Sequence, residues 1–280
     1  MILIADSGST KTDWCVVSDG KCVQQIFTKG INPFFITTPE ISREIKEALL
    51  PALSEYPIKA IYFYGAGCAN AEKNQIVADA LAEHFNVPIE VNNDLLGAAR
   101  ALCGTRHGIA CIMGTGSNSC YYDGEKIADN ISPLGFILGD EGSGATLGKQ
   151  LVGDVLKKQL PEHICRKFFD ETGLTGPDIV ENVYRKPFPN RFLASLSPFL
   201  IRNIDEPAIH DLVLNAFRAF LKRNVMLYDY KNNRVNMIGS VAYHYQEILK
   251  EAAAELGLEL GTITKSPMDG LIQFHDSILN

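Results

Sequence analysis

Hydrophobic and polar residues alternate along this chain with two different spacings. Short apolar runs that end at Gly, Asn, Asp or Ser predict buried strands, whereas apolar residues at four-residue spacing predict amphipathic helices, as at Ile41, Ile45 and Leu49. In the first part of the chain the pattern predicts strands at 2–6, 14–17, 22–27, 60–64 and 89–91, and helices at 39–56, 71–85 and 95–103.

The same order of strands and helices then begins again. Asp-Gly pairs at 19–20 and 123–124 are typical of tight hairpin turns, so each part opens with antiparallel strands. An alternation of strands and helices that occurs twice indicates an α/β protein with two similar domains. The second part has predicted strands at 109–113, 119–122, 234–238 and 261–264, and helices at 144–158, 161–171, 178–185, 207–228, 241–256 and 268–279.

The change from the first copy to the second is expected around 103–107, a connection that contains Gly and Thr. We therefore predict an N-terminal domain at 1–104, completed by the C-terminal helix at 268–280, and a second domain at 105–267. A chain of 280 residues is long enough for two domains.

The first strand of each copy runs into a turn of Gly, Ser and Thr residues. These segments are ILIADSGSTKTDW at 2–14 and IACIMGTGSNS at 109–119. Small residues at a hairpin tip expose backbone N–H groups and hydroxyls, and such a concave surface suits phosphate oxygens. Two tips of this kind predict a nucleotide cleft between the two domains.

Composition and charge argue against several classes of function. A net charge of −7 with scattered Lys and Arg residues argues against a nucleic-acid-binding surface. No apolar run approaches the ~20 residues of a membrane span, and the N-terminus begins with a strand and not with a signal-peptide pattern, so we expect a cytoplasmic protein. The seven cysteines, odd in number and without a Cys-x-x-Cys pair, are interpreted as buried free thiols and not as disulfides or metal ligands.

Taken in order, the motifs resemble the actin–hexokinase–Hsp70 nucleotide-binding superfamily, and within it the BadF/BadG/BcrA/BcrD ATPase family, which includes N-acetylglucosamine kinases. The resemblance implies two ribonuclease H-like (actin-like ATPase) domains, with ATP and Mg²⁺ as cofactors. The matching segments are DSGSTKT at 6–12, NP at 32–33, ND at 93–94, GTGS at 114–117, GDEGSG at 139–144 and GSVA at 239–242.

The resemblance also implies roles for individual residues. Asp94 would be the catalytic base that takes the proton of the attacking sugar hydroxyl, and Asp6 would hold Mg²⁺ through water. The sugar would be bound by Asn32, Asp94, Asp140 and Glu141. The ATP phosphates would be bound by Gly8, Ser9, Thr10, Lys11, Gly114, Thr115, Gly116 and Ser117, and the adenosine by Gly239 and Ser240.

Each of these roles has a purely structural alternative. Asp6 can cap its own turn, and Asp94 can be the N-cap of the helix that it opens. The segment 139–144 can be a solvated turn with Ser143 as a helix N-cap, and Asn32 precedes a proline, which is common in turns.

One position departs from the N-acetylglucosamine kinase pattern. These kinases have a Trp before the Gly-Asp-Glu-Gly-Ser turn that packs on the sugar. In this chain Leu134 takes that place, with Phe136 nearby, and the only Trp is Trp14. The identity of the sugar therefore stays open.

We predict an ATP-dependent kinase that phosphorylates a hydroxyl of an amino sugar, N-acetylglucosamine or glucosamine. Its partner is a small sugar, not a nucleic acid or a membrane. An alternative is an ATPase that activates a partner dehydratase or reductase through an iron–sulfur cluster, and another is a regulatory nucleotide-binding module. The Phe- and Pro-rich region 188–199 is interpreted as core or as a subunit contact, which leaves a homodimer open.

Overall fold

The computed structural model describes residues 1–8 and 10–279, so Ser9, one of the predicted phosphate ligands, lies outside the described residues, as does Asn280. The chain forms two compact units. Unit 1 comprises Met1–Arg106, Tyr122–Ile127 and Ser266–Asn280, and unit 2 comprises His107–Tyr121 and Ala128–Lys265. The domain boundaries predicted from the sequence, at 104 and 267, remain predictions.

Unit 1 is built on a five-stranded sheet in which β1 pairs antiparallel with β2 and parallel with β4. The strand order is β3-β2-β1-β4-β5. The Asp19-Gly20 turn between β2 and β3 has positive φ at both residues, as a tight hairpin requires. The strands are β1 (Ile2–Ser7), β2 (Lys11–Ser18), β3 (Lys21–Lys29), β4 (Ala60–Gly65) and β5 (Ile89–Asn93).

The helices of unit 1 cover both faces of this sheet. One face packs against a core that contains Trp14, Ile41 and Phe63, and the other packs Ile4 and Cys15 against the C-terminal helix. The helices are α1 (Thr38–Glu44), a π-helical stretch (Ile45–Leu49), α2 (Leu50–Leu53), α3 (Ala71–Ala82) and α4 (Asp94–Cys103).

The C-terminal helix of unit 1 lies directly against α4. A Cβ atom on Gly270 would come within 2.2 Å of the Ala101 carbonyl oxygen, so only glycine permits this distance between the helices. Gly97 of α4 likewise lies flat against the Tyr64 ring of β4. Both contacts fix α4, whose first residue is Asp94.

Unit 2 repeats the strand order of unit 1. Its order β10-β9-β6-β7-β8 is the order of the first sheet with β6 in the place of β1, and β6 pairs parallel with β9 as β1 does with β4. This repetition confirms the predicted α/β fold with its duplicated arrangement of strands. The strands are β6 (Gly108–Met113), β7 (Ser117–Tyr122), β8 (Ile127–Asp129), β9 (Val235–Ile238) and β10 (Leu260–Thr264).

Unit 2 carries more helices than unit 1 in the described part of the chain. Most of them lie between β8 and β9 and share one large core with the sheet. They are α5 (Gly135–Leu138), α6 (Gly144–Leu156), α7 (Glu162–Thr172), α8 (Gly176–Tyr184), α9 (Pro189–Arg202), α10 (Pro207–Arg223), a 3₁₀ turn (Val225–Leu227), α11 (Ser240–His244) and α12 (Gln246–Glu255), and α13 (Met268–Leu279) is the C-terminal helix of unit 1.

The sequence pattern failed at several of these elements, and strand β8 and helix α5 were not predicted at all. Helix α9 was predicted only as core or a subunit contact, because its Phe and Pro residues concealed the helical spacing. The predicted helices 39–56, 207–228 and 241–256 are each interrupted: the first by the π-helical stretch, the second at Asn224 and the third at Tyr245. Elsewhere the predicted elements are confirmed with shifts of a few residues at their ends.

The prediction of free thiols was wrong for two cysteines. Cys15 of β2 and Cys22 of β3 form a disulfide across the first hairpin, with their Cα atoms 5.9 Å apart. Cys68, Cys103, Cys111 and Cys120 are buried, as expected. None of the helices in the described part of the chain combines the length and apolar character that crossing a membrane requires.

A chain of polar side chains runs through the interior of unit 1. The Arg100 guanidinium donates to the Glu90 carboxylate and to the Tyr64 hydroxyl, each at 2.8 Å, and that hydroxyl lies 2.9 Å from Nε2 of His275. His275 is fully buried and stacks on the Tyr62 ring. Burial, together with the positive charge of Arg100, lowers the pKa of His275 to about 4.

This shift predicts that His275 lowers the stability of unit 1 in mild acid, relative to a variant without the histidine. Because the pKa of His275 is lower in the folded protein than the ~6.5 of an unfolded chain, the unfolded state binds more protons as pH falls from about 6.5 to 4. We expect the histidine to cost the folded state on the order of 3 kcal/mol over this range, fully regained above pH ~6.5. The free energy of unfolding, measured by urea unfolding of the wild type and of His275→Gln from pH 4 to 8, tests this expectation.

Because the wild type and His275→Gln differ only at this position, the difference between their pH dependences of unfolding measures the contribution of His275. Asp6, with a pKa raised to about 7, increases the stability of the folded state as pH falls, which is the opposite of the effect of His275. This contribution is present in both the wild type and the variant, so it cancels in the difference. Equal pH dependence of unfolding in the wild type and the variant would contradict the prediction.

Candidate active site

The first glycine-containing hairpin joins β1 to β2 and is closed by its own backbone. The Gly8 N–H donates to the Lys11 carbonyl at 3.0 Å, and the Thr10 carbonyl accepts from the Gly30 N–H at 3.0 Å. The Lys11 ammonium lies over the Phe27 ring, 4.7 Å from its centroid. Closure by the main chain means that no carboxylate is needed to hold this turn.

Three carboxylates lie close to the base of this hairpin. Asp6 and Asp13 are partners across β1 and β2, and Asp13 is bound by the Gln25 amide at 2.9 and 3.0 Å. Burial raises the pKa of Asp6 to about 7, and the charges of Asp94 and Asp13 add to the rise, while Lys11 opposes it. The structure thus brings the predicted metal ligand and the predicted base together.

Asp94 is the first residue of α4 and is not its cap. The Asn93 side chain accepts from the Leu96 N–H at 2.7 Å and is the N-cap. Burial raises the pKa of Asp94, and the N–H groups of Leu95 and of Asp94 itself partly offset this. The capping alternative is therefore wrong for Asp94, and its carboxylate is available for chemistry.

The segment that carries Asn32 is fastened to the first hairpin. Ser7 and Thr12, which the sequence analysis did not single out, hold it through buried hydroxyls. The Asn32 side chain accepts from the Phe34 N–H at 3.0 Å. Gly67, at φ +84°, packs so closely on Asn32 that a Cβ atom there would lie 2.2 Å from its Oδ1. The Gly65-Ala66-Gly67 segment thus sets the position of this side chain.

The second hairpin, between β6 and β7, is fixed by the start of α6. The N–H of Gly144 donates to the Gly114 carbonyl at 2.8 Å, and that of Ala145 donates to the Thr115 carbonyl at 3.0 Å. Ser143 caps α6 by accepting from the Thr146 N–H at 3.2 Å, as its structural alternative required. The hairpin tip and the helix terminus therefore form one rigid block.

Asp140 lies against the tip of this second hairpin. Its carboxylate accepts from the Ser117 N–H at 3.4 Å, and a Cβ atom on Gly116 would come within 3.0 Å of it. Burial raises the pKa of Asp140 to about 6, opposed by the Ser117 N–H and raised further by Glu141. The structure brings this predicted sugar ligand next to two predicted phosphate ligands.

Glu141 is engaged elsewhere in unit 2. Its carboxylate forms an ion pair with the Arg223 guanidinium and accepts from the Asn224 amide at 3.3 Å, both near the end of α10. Its backbone carbonyl accepts from the Ser117 hydroxyl at 2.8 Å. A role of Glu141 in sugar binding remains a prediction.

The predicted adenosine segment follows β9. Gly239 has φ +122°, and a Cβ atom there would lie 2.3 Å from the Met113 carbonyl oxygen at the end of β6. Ser240 is exposed and begins α11. Glycine at 239 therefore brings the start of α11 against the strand that leads into the second hairpin.

The loop before Asp140 presents apolar side chains to solvent. Leu134, Ile137 and Leu138 are 58 %, 75 % and 70 % exposed. The loop is closed by polar contacts to its main chain: Asp140 N–H donates to the Pro133 carbonyl at 2.9 Å, and the Lys149 ammonium donates to the Phe136 carbonyl at 2.6 Å. Leu134, at the position where the resemblance implies a Trp, thus lies on a backbone that these contacts hold.

Among the described residues, no group of three or more His, Cys, Asp or Glu side chains is arranged to hold a metal ion by itself. A site with one or two carboxylates, water and phosphate oxygens, which is the usual Mg²⁺ environment, does not need such a group.

Comparison with known proteins shows similarity to sugar kinases. A curated N-acetylmuramic acid/N-acetylglucosamine kinase from Clostridium acetobutylicum is 26 % identical over 210 residues, covering 69 % of this chain and 67 % of its own length. The structure of a candidate N-acetylglucosamine kinase from Porphyromonas gingivalis is 52 % identical, covers both chains fully and has a TM-score of 0.97.

A further solved structure shares the fold. It is a candidate N-acetylglucosamine kinase from Chromobacterium violaceum, 16 % identical over 98 % of this chain and 99 % of its own, with a TM-score of 0.76. These likenesses confirm the predicted ribonuclease H-like (actin-like ATPase) fold. Residues 5–160 match the model of the BadF/BadG/BcrA/BcrD ATPase family, and the chain belongs to this family.

Proposed function

We propose that this protein is an ATP-dependent kinase that phosphorylates a hydroxyl of an amino sugar, with N-acetylglucosamine as the first candidate and glucosamine as the second. The observation that carries the proposal is the division of roles at the start of α4, where Asn93 caps the helix and the buried Asp94 carboxylate is not needed for that role. The N-acetylglucosamine named for the relatives from Clostridium and Porphyromonas supports the choice of sugar.

Asp94 is the catalytic base in this proposal. Phosphoryl transfer depends mainly on positioning and on stabilisation of charge, and the base orients the attacking hydroxyl and accepts its proton. Burial raises the pKa of Asp94, which makes its carboxylate a better proton acceptor. The Leu95 N–H favours the ionised form and opposes the rise in pKa.

Both hairpins bind phosphate oxygens of ATP in this proposal. Gly8, Thr10 and Lys11 act from the first, and Gly114, Thr115, Gly116 and Ser117 act from the second. The backbone bonds that close each tip support this, because they hold the remaining N–H groups and hydroxyls in place before the nucleotide arrives. Gly239 and Ser240 would contact the adenosine.

The sugar hydroxyls are bound by Asn32, Asp94 and Asp140, with Glu141 as a further candidate. Asn32 is supported by the fixed backbone of its segment, and Asp140 by its raised pKa, which reflects a carboxylate with few compensating partners. The exposed apolar side chains of Leu134 and Ile137 are the candidates for contact with the N-acyl group.

Asp6 fits a role in holding Mg²⁺. Its pKa is raised by burial and by two neighbouring carboxylates, a charge arrangement that a cation would stabilise. When bound, Mg²⁺ neutralises charge on the phosphates. The use of ATP supports a cytoplasmic location, and a homodimer remains a candidate assembly.

If the protein is a sugar kinase, its consumption of ATP must depend on the presence of the sugar. We expect slow ATP hydrolysis by the protein alone and an increase on the order of tenfold or more with N-acetylglucosamine or glucosamine, because the sugar supplies the nucleophile that Asp94 orients. A coupled ADP assay over a panel of hexoses and hexosamines, with mass spectrometry of the products, measures this.

The same assay separates the kinase from the activating ATPase. An activator would ignore every sugar and would show the visible absorbance of an iron–sulfur cluster when purified without oxygen. No sugar phosphate across the whole panel would refute the kinase.

Replacement of Asp94 tests the base. Asp94→Asn keeps the size of the side chain and leaves the Asn93 cap intact, so we expect α4 to stay folded while kcat falls by roughly 10²–10⁴-fold. Binding of a non-hydrolysable ATP analogue should be nearly unchanged. Asp79→Asn, an exposed carboxylate on α3, is the matched control. Near-normal turnover of Asp94→Asn would exclude Asp94 as the base.

Replacement of Asp6 tests the metal. Asp6→Ala should weaken activity, and excess Mg²⁺ should restore part of it, because the carboxylate holds the hydrated ion and not the sugar. Titration of activity with Mg²⁺ at saturating sugar measures the shift. If the variant needs no more Mg²⁺ than the wild type, Asp6 has only a structural role.

A further inference from the structure

Two buried hydroxyls join the first hairpin to the segment that carries Asn32. Ser7 Oγ, at the end of β1, lies 2.7 Å from Thr12 Oγ1 on β2. Ser7 and Thr12 are both fully buried, as is the neighbouring Ile31 at 1 % exposure. We call the paired hydroxyls of Ser7 and Thr12 the hydroxyl clamp.

The hydrogen bonds of the clamp can be assigned proton by proton. The Thr12 hydroxyl donates to the Lys29 carbonyl at 2.9 Å. Ser7 Oγ accepts from the Ile31 N–H at 2.9 Å, and its own proton is shared between the Ile31 carbonyl at 3.0 Å and Thr12 Oγ1. One serine therefore satisfies both backbone groups of Ile31, which water does not reach.

The clamp acts on the residue next to Asn32. Gly30 N–H also donates to the Thr10 carbonyl in the hairpin tip, so the residues 29–31 are tied to the hairpin at three successive points. Because both the N–H and the carbonyl group of Ile31 are held, the backbone that leads into Asn32 is held as well. Gly67 then confines the side chain itself.

We propose that Ser7 and Thr12 are positioning residues for the sugar: their hydroxyl clamp holds the Asn32 segment in register with the phosphate-binding hairpin. This rests on the proposed kinase function. The clamp contributes to sugar affinity and leaves nucleotide affinity to the hairpin tip, whose closure is made by Gly8 and Lys11 without it.

The test uses the full-length protein with Thr12→Val and Thr12→Ser as a matched pair. Valine removes the hydroxyl at nearly constant shape, and serine keeps it. Ser7→Ala leaves the buried backbone groups of Ile31 without partners, at a cost of about 1–3 kcal/mol, so we expect KM for the phosphorylated amino sugar to rise about 5- to 100-fold. Thr12→Val removes the hydrogen bonds of the Thr12 hydroxyl and leaves the Ile31 bonds in place, so we expect a smaller rise of about 2- to 10-fold. KM for ATP should change less than about 2-fold, and Thr12→Ser should restore the sugar KM.

A second measurement does not depend on activity. Hydrogen exchange of the Ile31 amide, followed by NMR or mass spectrometry without ligands, should accelerate by about 5- to 100-fold in Ser7→Ala. It should be unchanged in Ser54→Ala, which removes an exposed serine hydroxyl that donates to a backbone carbonyl in the same unit.

The outcomes test the positioning role of the clamp and the kinase function separately. Equal loss of ATP and sugar affinity, or a sugar KM that Thr12→Ser does not restore, overturns the positioning role, and so does unchanged exchange at Ile31. Absence of phosphorylation by the wild type overturns the kinase, and the exchange arm then decides alone whether Ser7 holds Ile31. If Ser7→Ala does not fold, the Thr12 pair still decides.

Discussion

The structure depends on carboxylates held close together at a sheet edge where burial makes ionisation costly. Asp6 lies near the end of β1 and Asp94 directly follows β5, and the proximity of their charges contributes to the pKa of about 7 at Asp6. A protein that only had to be stable would place apolar or capping residues here, since uncompensated buried charge opposes folding. The surrounding glycines, hydroxyls and the Asn93 cap hold the backbone so that these carboxylates need not do so.

The two units hold their glycine-containing hairpins against the neighbouring structure in different ways. In unit 1 side-chain hydroxyls of the hairpin's own strands, at Ser7 and Thr12, join the hairpin to the neighbouring 29–31 segment. In unit 2 the equivalent hairpin is secured by the main chain of α6, whose start is in turn fixed by α9: a Cβ atom on Gly148 would lie 1.9 Å from the Leu193 carbonyl oxygen. The helices inserted after β8 thus supply in the second unit what two hydroxyls supply in the first.

Much of the fold could be predicted from the sequence, because the apolar runs of many strands end at or just before Gly, Asn, Asp or Ser residues, which favour turns. The hairpin turns and the α4 boundary follow from Asp-Gly and Asn-Asp pairs. Helix α9 was not recognised, since Pro198 lies within it and proline is unfavourable inside a helix. The disulfide was missed because the odd number of cysteines concealed that Cys15 and Cys22 flank one turn. The site was predicted as a set of residue types, but the cap at Asn93 and the Ser7 contacts depend on dihedral angles and burial that no spacing encodes.

The loop from Pro133 to Asp140 has a consequence for the evolution of specificity. Its shape is set by bonds to carbonyl groups of the main chain, from the Asp140 N–H and from Lys149, and by the absence of a side chain at Gly139. The outward side chains of Leu134, Ile137 and Leu138 contribute little to that shape. These three residues can therefore be exchanged during evolution while the backbone geometry at Asp140 is inherited unchanged, and in the proposed kinase such exchanges would offer a different surface to the acceptor.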